Sequence, residues 1–76
     1  LADPRRYAIL KHIARRDLSP CSELREAFPI TPATLSHHIK ELEAALLVET
    51  SKRGKFVDVH FCREIWTAYL AALAQL

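Results

Sequence analysis

The sequence predicts a mainly helical domain with one small β-hairpin (an α+β fold), in the order α-α-α-β-β-α, and three observations carry that prediction. A polar residue stands directly before proline three times, at Asp3-Pro4, Ser19-Pro20 and Thr31-Pro32. Each pair reads as a capping side chain followed by a residue whose missing N–H costs nothing in a first helical turn. Apolar residues keep helical spacing up to Leu46, then alternate on either side of Gly54, the one glycine in the chain. From Arg63 to Leu76 helical spacing returns, with almost no polar surface.

In the first helix Asp3 caps, Pro4 takes the first position, and Ile9, Leu10 and Ile13 recur on one side, which carries the helix to about Arg16. The second helix opens at Ser19-Pro20, turns Leu24, Ala27 and Phe28 inward, and stops before Pro29. The third opens at Thr31-Pro32. Its stripe of Leu35, Ile39, Leu42 and Leu46 predicts a helix continuing through Leu46, with Ala33, Ser36, His37 and Lys40 mostly opposite. Only Pro29 to Thr31 separate this helix from the one before, so the pair reads as a helix-turn-helix.

A two-residue turn centred on Arg53-Gly54 sets Val48 opposite Val59 and Thr50 opposite Val57. Val48, Thr50, Val57, Val59 and Phe61 then share an inner face, and Glu49, Asp58 and His60 an outer one. Gly54 supplies the positive φ that such a turn requires. In the last segment Trp66, Tyr69, Leu70 and Leu73 form a stripe, and Ile65 with Ala68, Ala71, Ala72 and Ala74 fills most of the remainder. A helix apolar nearly all round is buried on more than one side. A chain of 76 residues has little core with which to do this, so residues 63–76 are expected to form a C-terminal dimerisation helix. The expected seam comprises Trp66, Tyr69, Leu70 and Leu73, joined by Tyr7 and Leu10 of the first helix.

Composition narrows the class further. Hydrophobic residues make up 50% of the chain, which excludes a disordered segment, and no apolar run is long enough to span a bilayer. Residues 1–76 are expected to form a single domain, and a start at Leu1 rather than Met suggests a segment trimmed from a longer protein. Cys21 and Cys62 lie far apart, which fits a reducing cytoplasm better than a disulfide framework. No glycine-rich loop and no nucleophile–base spacing marks an enzyme. No cofactor is expected.

Helix, helix-turn-helix, hairpin and helix together are the layout of a winged helix. In a helix-turn-helix the second helix enters the DNA major groove, its N-terminal residues nearest the base edges. Here those residues are Thr31, Ala33, Thr34, Ser36 and His37, with Lys40 one turn on. Hydroxyls and imidazole can hydrogen-bond bases or phosphates, alanine can meet a thymine methyl, and lysine brings a point charge to the backbone. A solvated helix face would favour Glu, Lys and Gln instead. His38, next to the apolar stripe, reads as a partly buried structural histidine. Lys52, Arg53 and Lys55 form a basic wing tip facing phosphates. The expected partner is double-stranded DNA carrying an inverted repeat, bound by a homodimer. The competing reading is a winged helix that docks on protein without reading DNA, for which the basic wing and the Ser36-His37 face have no use.

Three segments carry a family resemblance: Leu1-Ala2-Asp3-Pro4-Arg5-Arg6, Leu35-Ser36-His37-His38-Ile39-Lys40 and Gly54-Lys55-Phe56-Val57. They are similar to the LADPTR opening, the S-x-S-T-V-S-H-H-L-K recognition helix and the E-G-R-W-V wing of the arsenical-resistance repressor (ArsR) family. The resemblance implies a dimeric repressor that releases operator DNA when an effector arrives, with dimerisation through the first and last helices. The family's metal motif C-V-C-[DE]-L does not carry over. Pro20, Cys21, Ser22, Glu23 and Leu24 stand in its place, so neither ligand position holds a thiolate, and the last helix has no histidine. No metal site is therefore expected. Leu46 is a second departure, since the family usually has glycine where the recognition helix turns into the wing. Leucine disfavours a left-handed conformation, so either the helix continues through Leu46 or the backbone there is mildly strained.

Overall fold

In the computed structural model residues 3–76 are described; Leu1 and Ala2, which open the first family-like segment, lie outside the described residues. The elements run α1 (Pro4–Arg16), β1 (Leu18–Pro20), α2 (Cys21–Ala27), α3 (Pro32–Ala44), β2 (Val48–Arg53), β3 (Phe56–Phe61) and α4 (Arg63–Ala74). The Asp3 carboxylate accepts from the amides of Arg5 at 2.8 Å and Arg6 at 3.3 Å, and these bonds hold its pKa below the usual carboxylate range. At the other end of α1, Asp17 takes a left-handed conformation (φ 63°) and turns the chain into β1.

Strand β1 was not expected. It pairs antiparallel with β3, Ser19 opposite Val59, and makes the sheet three-stranded in the order β1-β3-β2. The reading of Ser19 as a helix cap is corrected accordingly. Ser19 is fully buried in the strand, and Pro20 itself stands at the N-cap of α2 without a side-chain hydrogen bond. In α2, Leu24 is buried and Phe28 packs against the core, but Ala27 faces solvent rather than inward.

The hairpin register differs from expectation by one step of the turn. Val48 pairs with Phe61, Thr50 with Val59 and Arg53 with Phe56, so the two turn residues are Gly54 and Lys55. Gly54 has φ +64° and Lys55 has no positive φ, the pattern of a II′ turn, which takes glycine first. The faces survive because the shift moves each pairing by an even number of residues. Val48, Val59 and Phe61 are buried, Val57 half-buried, and only Thr50 of the expected inner set is exposed.

Helix α3 does not continue through Leu46. It ends at Ala44, and Leu46 is left-handed at φ 64° and 64% exposed. The amide of Leu47 donates to the carbonyl of Leu42 at 3.0 Å and that of Leu46 to Glu43 at 2.9 Å. These two bonds make a Schellman motif, with leucine at the position that usually takes glycine. Leu42 and Leu47, the residues that such a motif brings together, are both buried. Ending the helix this way turns the chain directly into β2 beneath the α3 stripe.

The core gathers Ile9, Leu10 and Ile13 of α1, Leu24 of α2, Leu35, Ile39 and Leu42 of α3, and Val48, Val59 and Phe61 of the sheet. Leu10 is 2% exposed within one chain and has no surface to offer a partner, so its expected place at a dimer seam is corrected. Helix α4 buries no residue at all. Its first turn is anchored: Arg63 donates to the carbonyl of Ala14 at 2.9 Å and pairs with the Asp17 carboxylate, and Trp66 packs against the core. Beyond that turn Tyr69, Leu70 and Leu73 are 42–46% exposed. Among the described residues no helix is long and apolar enough to cross a membrane.

Candidate nucleic-acid interface

Helix α3 divides along its length into two chemically distinct faces. Leu35, His38, Ile39 and Leu42 point into the core, while Ala33, Ser36, His37 and Lys40 are exposed, as the spacing predicts. Thr31 acts locally, since its hydroxyl accepts the amide of Thr34 at 3.2 Å and donates to the Thr34 hydroxyl at 3.0 Å. Both threonines therefore stand at the helix entrance with their hydroxyls already engaged with each other, and Thr34 is half-buried. His38 is 4% exposed, and its Nδ1 is buried without a hydrogen-bond partner among the described residues, which makes it more deeply placed than the sequence suggests.

The wing stands beside this face. Glu43 near the end of α3 accepts from the Thr50 hydroxyl at 2.8 Å, which ties the base of the hairpin to the helix. On the outer side of the hairpin Ser51 and His60 are in hydrogen-bond contact at 2.9 Å. Lys52, Arg53 and Lys55 are all exposed at the tip. Arg53 differs from the lysines: it pairs with the Asp58 carboxylate through Nε at 3.2 Å and a terminal nitrogen at 3.3 Å, which pushes its already high pKa further up.

Between α2, α3 and the wing lies an open groove of about 450 Å³. Ser36 and Lys40 line one wall, Lys52, Lys55 and Phe56 another, and Cys21, Ser22 and Arg25 the third. Arg25 was not singled out from the sequence, because a lone arginine on a short helix gives no signal until the groove shows what it faces. Asp58, assigned from alternation to the outer face of the hairpin, is buried at 7% exposure. Strand β3 is central, with neighbours on both edges, and Arg53 covers the carboxylate.

Cys21 and Cys62 are free and half-buried, and burial pushes both thiols up from the usual range. Raised thiols stay protonated and are poor nucleophiles at neutral pH. Among the described residues no three His, Cys, Asp or Glu side chains come together as a metal site would require. Tyr7 is 43% exposed on α1.

Comparison with known proteins agrees with this architecture. The family model of a helix-turn-helix domain matches residues 1–51. The arsenical resistance operon repressor of Staphylococcus xylosus is 43% identical over 54 residues, which is 71% of this chain and 51% of that repressor. The chain thus spans about half the length of this curated relative. The crystal structure of an ArsR family transcriptional regulator superposes with a TM-score of 0.85 at 32% identity, covering 97% of this chain and 80% of the other. A transcriptional regulator homologue from Pyrococcus horikoshii OT3 shares the fold, with a TM-score of 0.76 at 24% identity over 99% of this chain and 85% of that one.

Proposed function

As the chain belongs to the ArsR family of winged helix-turn-helix transcriptional regulators, we propose that it is a cytoplasmic, homodimeric repressor that binds an inverted-repeat DNA operator. The exposed face of α3, with a basic groove beside it, is the observation that carries this reading. Ala33, Ser36 and His37 meet base edges in the major groove, with Thr31 and Thr34 at the helix entrance setting its approach. Lys40, Arg25, Lys52 and Lys55 meet phosphates on either side.

Residues 63–76 serve as the dimerisation helix of a domain that spans the chain. Tyr69, Leu70 and Leu73 are each nearly half exposed within one chain. Burying a whole side chain of this size is worth about 1.5–3 kcal/mol, so covering the exposed half of each contributes about 1 kcal/mol. Tyr7 lies on the first helix, which the family resemblance assigns to the same seam. The family's metal motif on the second helix has no counterpart here, so the releasing signal is not a metal held by thiolates at Pro20 and Ser22.

A gel-shift titration against DNA selected by the purified protein tests the reading. The expected result is binding to an inverted repeat whose half-site centres lie about 34 Å apart. Affinity falls steeply with salt, because phosphate contacts release counterions. Stoichiometric zinc or arsenite leaves the shift unchanged. Binding without salt dependence, or none at all, would favour a protein-docking winged helix. Release of the DNA by either metal would return attention to Cys62 and His60.

A further inference from the structure

Asp58 stands on the central strand, opposite Ser51 on one side and Pro20 on the other, with its side chain only 10% exposed. Among the described residues its one ion-pair partner is Arg53. The two carboxylate oxygens each accept one N–H of the guanidinium, at 3.2 and 3.3 Å. Paired N–H donors on a planar fork hold a carboxylate more strictly than a lysine could. The Phe56 ring lies 5.3 Å from the guanidinium carbon and gives it a second wall. Lys52 and Lys55 have no ion pair among the described residues.

We propose that Asp58 is a positioning residue that holds Arg53 as an internal strut of the wing and withholds it from DNA phosphate, leaving Lys52 and Lys55 as the cations that the wing contributes. The inference rests on the DNA-binding reading above. A phosphate that captured Arg53 would strand a buried carboxylate without a partner, which is strongly unfavourable. If a remaining N–H of Arg53 turned towards DNA, the Arg53–Asp58 pair would still be neutral overall and would release no counterion. Charge at the tip is therefore set by three residues and one carboxylate, not by a count of basic side chains.

Salt dependence of binding to a non-specific duplex, followed by fluorescence anisotropy, separates this from a plain phosphate contact. Lys55→Gln should flatten the log–log salt slope by about 0.9 per subunit, or roughly three- to fourfold in affinity between about 50 and 200 mM salt. Removing the neutral pair whole, with Arg53→Gln and Asp58→Asn together, should leave the slope of the parent chain unchanged. Asp58→Asn, nearly isosteric and leaving no buried charge, should steepen the slope by about 0.9, because Arg53 is freed to reach phosphate. Adding Arg53→Gln to Asp58→Asn should therefore remove that gain, and the double variant leaves no buried charge unpaired. A double-variant slope as flat as that of Lys55→Gln would overturn the proposal while upholding DNA binding. So would an Asp58→Asn slope equal to that of the parent chain. A parent chain that binds no duplex would overturn both.

Discussion

Helices α3 and α4 are 13 and 12 residues long, and each carries an apolar stripe, yet α3 buries four residues within the chain and α4 none. The stripe of α3 meets α1, α2 and the sheet, and its opposite face is polar and short-chained. That of α4 is anchored in its first turn, through Arg63 and Trp66, and its remaining faces are apolar too. The same sequence period thus serves two purposes. In α3 apolar spacing builds the core and leaves a polar face outward; in α4 it leaves apolar surface exposed, the surface that the proposed dimer would cover. The buried core within one chain therefore resides in α1–α3 and the sheet, whereas α4 is the helix proposed for assembly.

The largest expected effect lies on the α3 side of this contrast. Leu42 is fully buried, and Leu42→Ala should cost about 2–5 kcal/mol of unfolding free energy, combining lost transfer energy with the cavity left behind. Leu73→Ala, made on a 45% exposed residue, should cost the isolated chain well under about 1 kcal/mol. Thermal melts at a protein concentration low enough to keep the chain monomeric compare the two directly. Equal losses would show that α4 is part of the chain's own core after all.

The exposed face of α3 is tested by His37→Ala. With a base contact the loss should fall on the selected operator, by about 1–3 kcal/mol, and spare random DNA. Competition binding with both duplexes measures the difference, and equal losses would reduce His37 to a backbone contact.

Much of this was legible because both helical stripes and the alternating hairpin are periodic over enough residues to leave one solution. What escaped was short or set by tertiary context. Strand β1 has three residues and a proline, too few for any period, and Ser19-Pro20 resembles a helix start so closely that only pairing with β3 distinguishes them. The turn was misplaced by one residue because glycine suits either central position of a two-residue turn. The pairing of Arg53 with Phe56 selects the first. Leu46 misled for a different reason. It lies on the stripe, but the helix stops two residues before it, and the core position is taken by Leu47. At the candidate interface the residue types of α3 and the wing were readable, but not the Arg53–Asp58 pair, since alternation assigned Asp58 to solvent.

Leu46 gives the smallest expected effect. A left-handed leucine costs about 1–2 kcal/mol, and at 64% exposure the side chain contributes little burial in return. Leu46→Gly should therefore raise the melting temperature, with a net gain of up to about 1 kcal/mol after the added entropy of glycine in the unfolded chain. A lower melting temperature would mean that the leucine side chain stabilises this turn by packing.

Sedimentation equilibrium of the parent chain beside a Leu70→Asp, Leu73→Asp variant tests the contrast between the two helices most directly. Carboxylates on the exposed stripe of α4 would have to be desolvated in a dimer but stay in water on the monomer. The account predicts a dimeric parent and a monomeric variant that keeps its helical circular dichroism and loses tight operator binding, because one half-site contact cannot replace two linked ones. A parent chain that stays monomeric at high concentration while binding its operator tightly would contradict it.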